Sequence, residues 1–484
     1  MRNLLLVSAL FSTLFLCAEV KLPSIFSHHA VLARHARVPV WGTASPGEKV
    51  TVTFNGQKVA AIAGKDGKWM VFLDLKNSPE GPFTLTVNNI RIKDVMVGEV
   101  WLGSGQSNMA MLMCNSTGFE QEKKEMPNKK LRVFIINVAG NEKPQSNCTG
   151  AWYIADEKML GSFSAVSYHF GKKLQKELNT PVGLIKAAKG ATYIEGWMPW
   201  GDIKKFSSAV ARAERRARAK KPLWYRKPSV LYNAMIHPLL PYRLSGVIWY
   251  QGESNTRDPE DYADLFRSLI SRYRQDFKDP QLPFFWCNLA GYRDKSADAG
   301  SVNNWSILRL KQTEVLDMPR TGEAVLTDAG EAKDIHPRNK QIPGERLAAL
   351  ALARVYGKDV PCTGPAAVSA RKEGSKVVIS FKDIYNGLEA RPVPAVYIVK
   401  SAKNQTAPLV RNSPKASLEG FALCGKDGKW FWADQADIKG NEVVLSAEQV
   451  KEPVMVRCCM QQNPTCNLYN KAGFPVVPFE LKVQ

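Results

Sequence analysis

The chain has 484 residues, which is too long for one ordinary core and predicts two or three domains. Its content of 45% hydrophobic and 23% charged residues is typical of a soluble globular protein rather than a disordered one. The formal net charge of +21 suits an anionic partner, but the sequence has no nucleic-acid-binding motif. Because most of the charge is scattered along the chain, a solvated basic surface is favoured.

Residues 1–18 have the pattern of a signal peptide. A positive charge at Arg2 precedes an almost wholly apolar run over 4–16, and Cys17 and Ala18 then precede the polar Glu19. The apolar run is too short for an ordinary transmembrane helix, and no other stretch predicts a membrane span. We therefore expect an exported protein, periplasmic or secreted, that is cleaved after Ala18. A lipoprotein anchored through Cys17 is the alternative.

Residues 19–97 are predicted to form an N-terminal β-sandwich domain. Short runs rich in β-branched and aromatic residues alternate with turns, and Asn55-Gly56 and Asp66-Gly67 are typical of hairpins. The predicted strands are 38–42, 49–54, 69–73 and 84–87.

Residues 98–358 alternate between strand-like and helix-like segments, which predicts an α/β domain with a mainly parallel sheet covered by helices. The predicted strands are 181–185, 246–250, 282–286 and 324–327. The predicted helices are 164–178, 258–277 and 344–356.

Residues 359–484 return to a β pattern and predict a second β-rich domain, which is sandwich-like. Its predicted strands are 376–381, 395–399, 421–423, 430–432, 443–445 and 454–457.

Residues 204–227, within the α/β part, are strongly basic. They include ten lysines and arginines, with Asp202 and Glu214 as the nearby acids. We interpret this stretch as an exposed helix or insertion, and attraction of an anionic glycan is the functional alternative.

Eight cysteines lie outside the signal, an even number that an oxidising compartment can pair, although spacing alone does not give the partners. No Cys-x-x-Cys spacing occurs and the six histidines do not cluster near cysteines, so no metal site is predicted. No cofactor is predicted either.

Ser107 is the candidate nucleophile. It lies in the sequence Gly-Ser-Gly-Gln-Ser-Asn-Met-Ala (103–110), directly after the apolar run at 95–102, which is typical of a buried strand. A serine just past such a strand can present its hydroxyl in a cleft at the sheet edge. Gly-x-Ser-x-Gly is absent because Met109 stands at the last glycine, which argues against an α/β-hydrolase nucleophile elbow.

A serine nucleophile needs a base, usually a histidine held by a carboxylate. His336 lies in a polar loop after a predicted strand and before a predicted helix, with Asp334 two residues away. We therefore assign His336 as the base in preference to its competitor, His237. Asp334 is the candidate orienting acid, and Glu253 is its rival.

Acyl transfer also needs hydrogen-bond donors for the oxyanion. The backbone N–H of Ser107 is one candidate, and the N–H of Gly190, which follows a predicted strand, is another. The side-chain amide of Gln251 follows a third strand, with Asn255 as the fallback. Glu195 and Trp197 follow the Gly190 loop and are candidates to contact a ligand, along with Asn255 and Glu253. The alternative for Trp197 is packing in the core.

The order of Ser107, Gly190, Gln251 and Asp334/His336 resembles the four blocks of the SGNH (GDSL-like) hydrolases. The stretches 103–109, 248–255 and 334–340 more closely resemble the sialate O-acetylesterase family, and the likeness covers nearly the whole chain. The resemblance implies a three-layer α/β/α catalytic domain with flanking β domains. It also implies hydrolysis of O-acetyl esters on sugars, typically sialic acid, without a metal.

Carried onto this chain, the resemblance makes Ser107 the nucleophile, His336 the general base and later acid, and Asp334 the orienting acid, with Gly190 and Gln251 in the oxyanion hole. Two departures stand out. Ala191 replaces the second glycine that the family often has, and the acid lies two residues before the histidine rather than three.

Three hypotheses follow. The chain is an exported serine esterase acting on O-acetylated sialic acids, or an esterase of the same chemistry acting on another glycan such as acetylated xylan. The third is a carbohydrate-binding protein with an inactive middle part. A basic, arginine-containing pocket would suit the sialate carboxylate.

Overall fold

The structure is a computed structural model that describes residues 20–391, 417–465 and 467–484. Within these ranges no helix has both the length and the apolar character needed to cross a membrane. The predicted strand at 395–399 lies outside the described residues. Five of the described cysteines form no disulfide bond: Cys114, Cys148, Cys287, Cys362 and Cys424.

The strands of the N-terminal part share one apolar core, and they pair antiparallel except for the first, which pairs in parallel with the seventh. Its strands are β1 (Val31–Ala33), β2 (Val38–Thr43), β3 (Lys49–Phe54), β4 (Gln57–Ile62), β5 (Lys68–Leu73), β6 (Phe83–Val87) and β7 (Ile90–Gly105). β3 alternates buried and exposed residues, as expected of a strand with one face on a core. The predicted turn at Asn55-Gly56 joins β3 to β4.

β7 continues from this part into the central sheet. It pairs with β6 near its start and, near its end, lies between two parallel strands. The other central strands are β8 (Asn128–Ile136), β9 (Gly150–Ala155), β10 (Val182–Ala188), β11 (Gly246–Tyr250), β12 (Phe284–Cys287) and β13 (Thr321–Ala324). The predicted boundary between residues 97 and 98 falls inside β7, and the division into domains stays a prediction.

The central strands lie in the order β13-β12-β11-β7-β10-β8-β9, and all are parallel except the edge strand β9. The predicted strand at 324–327 is wrong beyond Ala324. The reason is that the Leu326 N–H donates to the Asn288 side chain (2.7 Å) instead of a neighbouring strand.

Helices cover both faces of this sheet, which confirms the predicted α/β/α arrangement. The helices are α1 (Ser107–Ala110), α2 (Phe119–Lys124), α3 (Ala165–Leu178), α4 (Trp200–Ile203), α5 (Ser207–Ala217), α6 (Tyr262–Asp276), α7 (Asn304–Thr313) and α8 (Gln341–Arg354). α3 and α8 pack on one face with a core around Trp101, whereas α6 and α7 pack on the other.

Alternate residues of the parallel strands supply the two cores. Trp101 of β7 contacts Phe170 of α3, while Trp249 of β11 contacts Phe266 of α6 on the opposite face. Both tryptophans are fully buried, and each contributes about 2–3 kcal/mol of hydrophobic stabilisation. The two layers thereby fix the carboxyl ends of β7, β10 and β11 beside one another.

The C-terminal part consists of antiparallel sheets around its own core. Its strands are β14 (Ala366–Glu373), β15 (Lys376–Lys382), β16 (Leu388–Ala390), β17 (Phe421–Gly425), β18 (Trp430–Trp432), β19 (Gln435–Lys439), β20 (Glu442–Ser446), β21 (Pro453–Cys458), β22 (Leu468–Asn470) and β23 (Phe479–Lys482).

Candidate active site

Ser107 lies where β7 ends and α1 begins. Gly105, the last residue of β7, has φ 138°, and a Cβ there would lie 2.2 Å from the carbonyl oxygen of Tyr250 in β11. Only glycine therefore permits this approach of the two strand ends. The next residue, Gln106, donates its N–H to that same oxygen (2.9 Å). The resulting turn places the half-buried Ser107 at the carboxyl edge of the parallel strands.

The loop between β13 and α8 brings His336 to Ser107. The Nε2 atom of His336 lies 2.8 Å from the Ser107 hydroxyl oxygen. Asp334 accepts the backbone N–H of His336 at 2.8 Å, and the same carboxylate oxygen lies 3.6 Å from His336 Nδ1. The structure therefore brings the three predicted residues together, with Asp334 on the Nδ1 side of the ring.

The electrostatic surroundings favour a neutral imidazole. Burial lowers the pKa of His336, and the nearby Lys340 ammonium lowers it further, whereas Asp334 acts in the opposite direction. A histidine with a lowered pKa is unprotonated at neutral pH, so its Nε2 can accept a proton from a hydroxyl 2.8 Å away.

His237, the competing base, lies elsewhere. Its Nδ1 is 2.8 Å from the carbonyl oxygen of Gln145, and it lines a different cavity beside Trp41 of the N-terminal part.

Gly190 contacts the nucleophile from the neighbouring strand. It follows β10 by two residues, and a Cβ at this position would lie 3.3 Å from the Ser107 Cβ. Lys189 anchors the turn by donating its N–H to the Gly105 carbonyl oxygen (3.1 Å). Within the described ranges the backbone N–H groups of Ser107 and Gly190 donate to no protein group. Both therefore remain available to an oxyanion.

Gln251 and Asn255 are committed to the protein interior. The Gln251 amide nitrogen donates to Asn255 (2.8 Å), to the Thr192 carbonyl (3.1 Å) and to Gln106 (3.2 Å). The Asn255 amide donates to Glu195 (3.1 Å). Because Gln251 is fully buried and Asn255 is 2% exposed, these amides support the loops around the nucleophile rather than face a substrate.

The predicted ligand contacts of Glu195 and Trp197 are wrong. Both residues have no exposed surface. Trp197 donates its indole N–H to Thr192 (3.0 Å) and lies against Trp249, which is the core alternative. Glu195 is buried because Arg212 of α5 reaches it, with 3.0 Å between Nε and the carboxylate. A charge-assisted pair of this kind is what allows a carboxylate to be buried.

Glu253 is likewise neither exposed to a ligand nor bonded to His336. It is 8% exposed, one of its carboxylate oxygens accepts the side-chain amide of Asn108, and the other has no partner among the described residues. Burial raises the pKa of Glu253. The prediction that Glu253 could replace Asp334 as the acid that orients His336 is therefore wrong.

Asn108 and Lys340 are site residues that the sequence reasoning missed. Lys340 is 1% exposed and donates to the Asn108 side-chain oxygen at 2.6 Å. The Asn108 amide also donates to the carbonyl oxygen of Ile335 (3.1 Å), which precedes the candidate base. Asn108 thus connects the nucleophile turn, the His336 loop and α8. Its position next to Ser107 was the only available signal.

Ala191, the departure from the family pattern, adopts φ 59°, which is the left-handed region. Alanine is uncommon there and its backbone is strained.

In the described part of the chain, no cluster of three or more His, Cys, Asp or Glu is arranged to hold a metal ion.

A family model described as "carbohydrate esterase, sialic acid-specific acetylesterase" matches residues 97–336. The sialate O-acetylesterase of Mus musculus is 33% identical over 392 residues, covering 67% of this chain and 72% of the mouse protein. The Homo sapiens sialate O-acetylesterase is 32% identical over 365 residues, covering 67% and 69% respectively.

The crystal structure of XAC1771, a novel carbohydrate acetylesterase from Xanthomonas citri, superposes with a TM-score of 0.83 at 31% identity. The superposition covers 96% of this chain and 99% of that one, so the likeness includes the N- and C-terminal β parts. The chain belongs to the sialic acid-specific acetylesterase family of carbohydrate esterases and is a carboxylic ester hydrolase.

Proposed function

We propose that this protein is a serine esterase that removes O-acetyl groups from sialic acids through an acetyl-enzyme on Ser107. The observation that carries the proposal is the distance of 2.8 Å between the Ser107 hydroxyl oxygen and His336 Nε2. That distance is within reach of direct proton transfer. The sialic acid preference is supported by the family and by its mammalian members.

In the first half-reaction, the Ser107 oxygen attacks the acetyl carbonyl carbon while His336 Nε2 takes the hydroxyl proton. The carbonyl oxygen becomes an oxyanion and accepts the backbone N–H groups of Ser107 and Gly190. As the tetrahedral intermediate collapses, the C–O bond to the sugar breaks. His336 returns its proton to the departing sugar oxygen, which leaves the deacetylated sugar and an acetyl-serine.

In the second half-reaction, His336 takes a proton from water, and the hydroxide oxygen attacks the acetyl-serine carbonyl. Collapse releases acetate and gives the proton back to the Ser107 oxygen. Asp334 faces Nδ1 in both steps and favours the imidazolium that forms transiently. Since Asp334 also accepts the His336 backbone N–H, it holds the loop as well as the ring.

Esterase activity on another acetylated glycan, such as xylan, is the second candidate function, because the described catalytic groups act on the ester rather than on the sugar. The inactive carbohydrate-binding hypothesis is disfavoured by the family and by the assembled Ser107 and His336.

Acetate release from O-acetylated sialic acid and from acetylated xylan, measured side by side, tests the proposed function. We expect the purified enzyme to have a kcat/KM at least tenfold higher on the sialic acid, and Ser107→Ala to lose activity on both substrates. A higher kcat/KM on xylan would replace the sialate assignment while leaving the chemistry intact.

We also propose export, since residues 1–18 combine a basic start, a short apolar run and a small residue before Glu19. N-terminal sequencing of the mature protein from the periplasm or medium is expected to begin at Glu19. Retention of residues 1–18 or a lipid on Cys17 would contradict cleavage after Ala18.

Gly190→Ala is expected to lower kcat by about 10- to 100-fold, because an added Cβ 3.3 Å from the Ser107 Cβ displaces an oxyanion donor. Gly201→Ala is the matched control, since a Cβ at Gly201 meets no atom within 4 Å. Steady-state kinetics of the two variants provide the measurement. Equal kcat values for both variants would remove Gly190 from the oxyanion site.

Lys340→Met is expected to move the acid limb of the pH–kcat/KM profile to higher pH. The Lys340 ammonium lowers the pKa of His336, so its removal raises that pKa and the neutral base is lost at a less acidic pH. Lys333→Met, which removes an exposed charge from the same loop, is expected to move the limb much less because water screens that charge. A limb that stays fixed or moves to lower pH in Lys340→Met would contradict this coupling.

A further inference from the structure

The loop that carries Gly190 is flanked by two cations, Arg226 and Lys189. Arg226 belongs to the basic stretch 204–227, and Lys189 immediately precedes Gly190. Within the described ranges neither side chain forms an ion pair. This is unusual, since the other arginines of the stretch all have carboxylate partners: Arg212 with Glu195 and Asp261, Arg215 with Asp258, Arg216 with Glu195, and Arg218 with Glu214.

Arg226 is held by one end of its guanidinium. Its Nε donates to the Ala191 carbonyl oxygen at 3.1 Å, one residue beyond Gly190. Its two terminal nitrogens make no hydrogen bond to any described residue. The guanidinium carbon lies 5.7 Å from the centre of the Tyr193 ring, and the residue is half-buried. A guanidinium that is held in place through Nε, with both terminal nitrogens available to a ligand, is suited to bind a carboxylate in a bidentate manner.

Lys189 is held next to Arg226 by a neighbouring aromatic ring. Its Nζ lies 4.4 Å from the centre of the Tyr225 ring, and Tyr225 directly precedes Arg226 in the chain. This cation–π contact keeps the ammonium at the loop without neutralising it. Two positive charges therefore lie beside the turn that carries the proposed oxyanion donor.

Arg226 lines a cavity of about 830 Å³. Its lining includes Trp200 and Leu223, which are 45% and 42% exposed, together with Arg216 and Arg226. Exposed apolar surface beside the guanidinium of Arg226 is complementary to an acidic sugar, which combines an apolar ring face with a carboxylate.

We propose that Arg226 and Lys189 form a carboxylate subsite that recognises the acid group of the sugar whose ester is cleaved. The inference rests on the proposed function and deepens it. In this proposal the basic stretch 204–227 contributes to substrate specificity instead of being only a solvated surface. Arg226 is the residue of the stretch that contacts the Gly190 loop, through the Ala191 carbonyl oxygen. The same contact makes Arg226 a positioning residue for the strained Ala191 backbone.

The test compares acetate release from O-acetylated sialic acid with release from its carboxylate methyl ester, which keeps the acetyl group and removes the charge. For the wild-type enzyme we expect kcat/KM to be about 10- to 100-fold higher on the free acid, as charge-assisted hydrogen bonds to one carboxylate imply. Because the readout is a ratio within one enzyme, general damage to catalysis or folding cancels.

Arg226→Gln and Lys189→Gln are each expected to reduce this ratio by about tenfold, towards one. Arg218→Gln, which removes an exposed arginine paired with Glu214, is the matched control and is expected to keep the wild-type ratio. An acetylated galacturonide and its methyl ester, assayed in parallel, distinguish a uronic acid from a sialic acid as the source of the carboxylate.

Three outcomes would overturn the subsite, and the first two differ in what they say about the proposed function. If the wild type cleaves the free acid and the methyl ester equally well, the subsite is wrong and the esterase proposal stands. If the wild type releases acetate from xylan but from no carboxylate-bearing sugar, both the sialate assignment and the subsite are wrong. If Arg218→Gln also lowers the ratio of kcat/KM on the free acid to kcat/KM on the methyl ester, the preference depends on the net charge of the protein. That result would also contradict the subsite.

Discussion

Ser107→Ala is expected to lower kcat for acetate release by about 10⁴- to 10⁶-fold, the loss seen when a serine nucleophile is removed. The variant keeps the backbone N–H groups of Ser107 and Gly190, so some oxyanion stabilisation persists and residual hydrolysis remains measurable. KM is expected to change little, because the hydroxyl contributes to bond formation rather than to sugar binding. Steady-state kinetics on O-acetylated sialic acid provide the measurement.

The same variant is expected to remain folded. The Ser107 hydroxyl has a single described side-chain contact, to His336, and the residue is only half-buried. Its free energy of unfolding should therefore lie within about 1 kcal/mol of the wild-type value. If Ser107→Ala stays folded and releases acetate at the wild-type rate, the nucleophile is elsewhere.

His336→Gln is expected to lower kcat by about 10³- to 10⁵-fold, since glutamine can hydrogen-bond to the serine but cannot accept its proton. The acid limb of the pH–rate profile should also disappear, because the group whose ionisation produces it is gone. His237→Gln is the matched control and is expected to keep both the rate and the limb, as His237 bonds to Gln145 away from the site. Equal losses in the two variants would contradict the assignment of His336 as the base.

Local patterns in the sequence predicted the strands that build the site. Gly246–Tyr250 was predicted with the bounds that the structure has, because an apolar run enclosed by glycines leaves little freedom in the register of a buried strand. The helix predicted from Ser164 begins one residue later, with Ser164 as its N-cap. The strand at 324–327 was misplaced because the Asn288 side chain, distant in sequence, takes over the hydrogen bond that would have extended it.

The parts of the site that the sequence did not predict depend on tertiary partners. Glu195 follows the Gly190 loop and was expected to contact a ligand, yet Arg212 of α5 pairs with it in the interior. Lys340 lies in a polar stretch, and nothing local indicates that its ammonium is buried against Asn108. Each of these charged side chains is buried against a partner that is distant in sequence, Arg212 for Glu195 and Asn108 for Lys340. Only the tertiary fold brings the partners together, so local sequence could not predict the burial.

The carboxylate that orients His336 could not be chosen from sequence spacing alone, whereas the structure identifies it by distance. Spacing left Asp334 and Glu253 as alternatives. The structure separates them, because Asp334 lies 3.6 Å from His336 Nδ1 whereas Glu253 bonds to Asn108 and is nearly inaccessible. The Glu253 carboxylate accepts the amide of Asn108, and burial raises the pKa of Glu253.

Trapping the covalent intermediate tests the central proposal most directly. Wild-type enzyme quenched in acid during turnover of O-acetylated sialic acid, then digested and analysed by mass spectrometry, is expected to carry one acetyl group, on the peptide containing Ser107. His336→Gln treated in the same way should carry no more acetyl than enzyme without substrate. An acetyl group on a different side chain, with Ser107 unmodified, would contradict the mechanism.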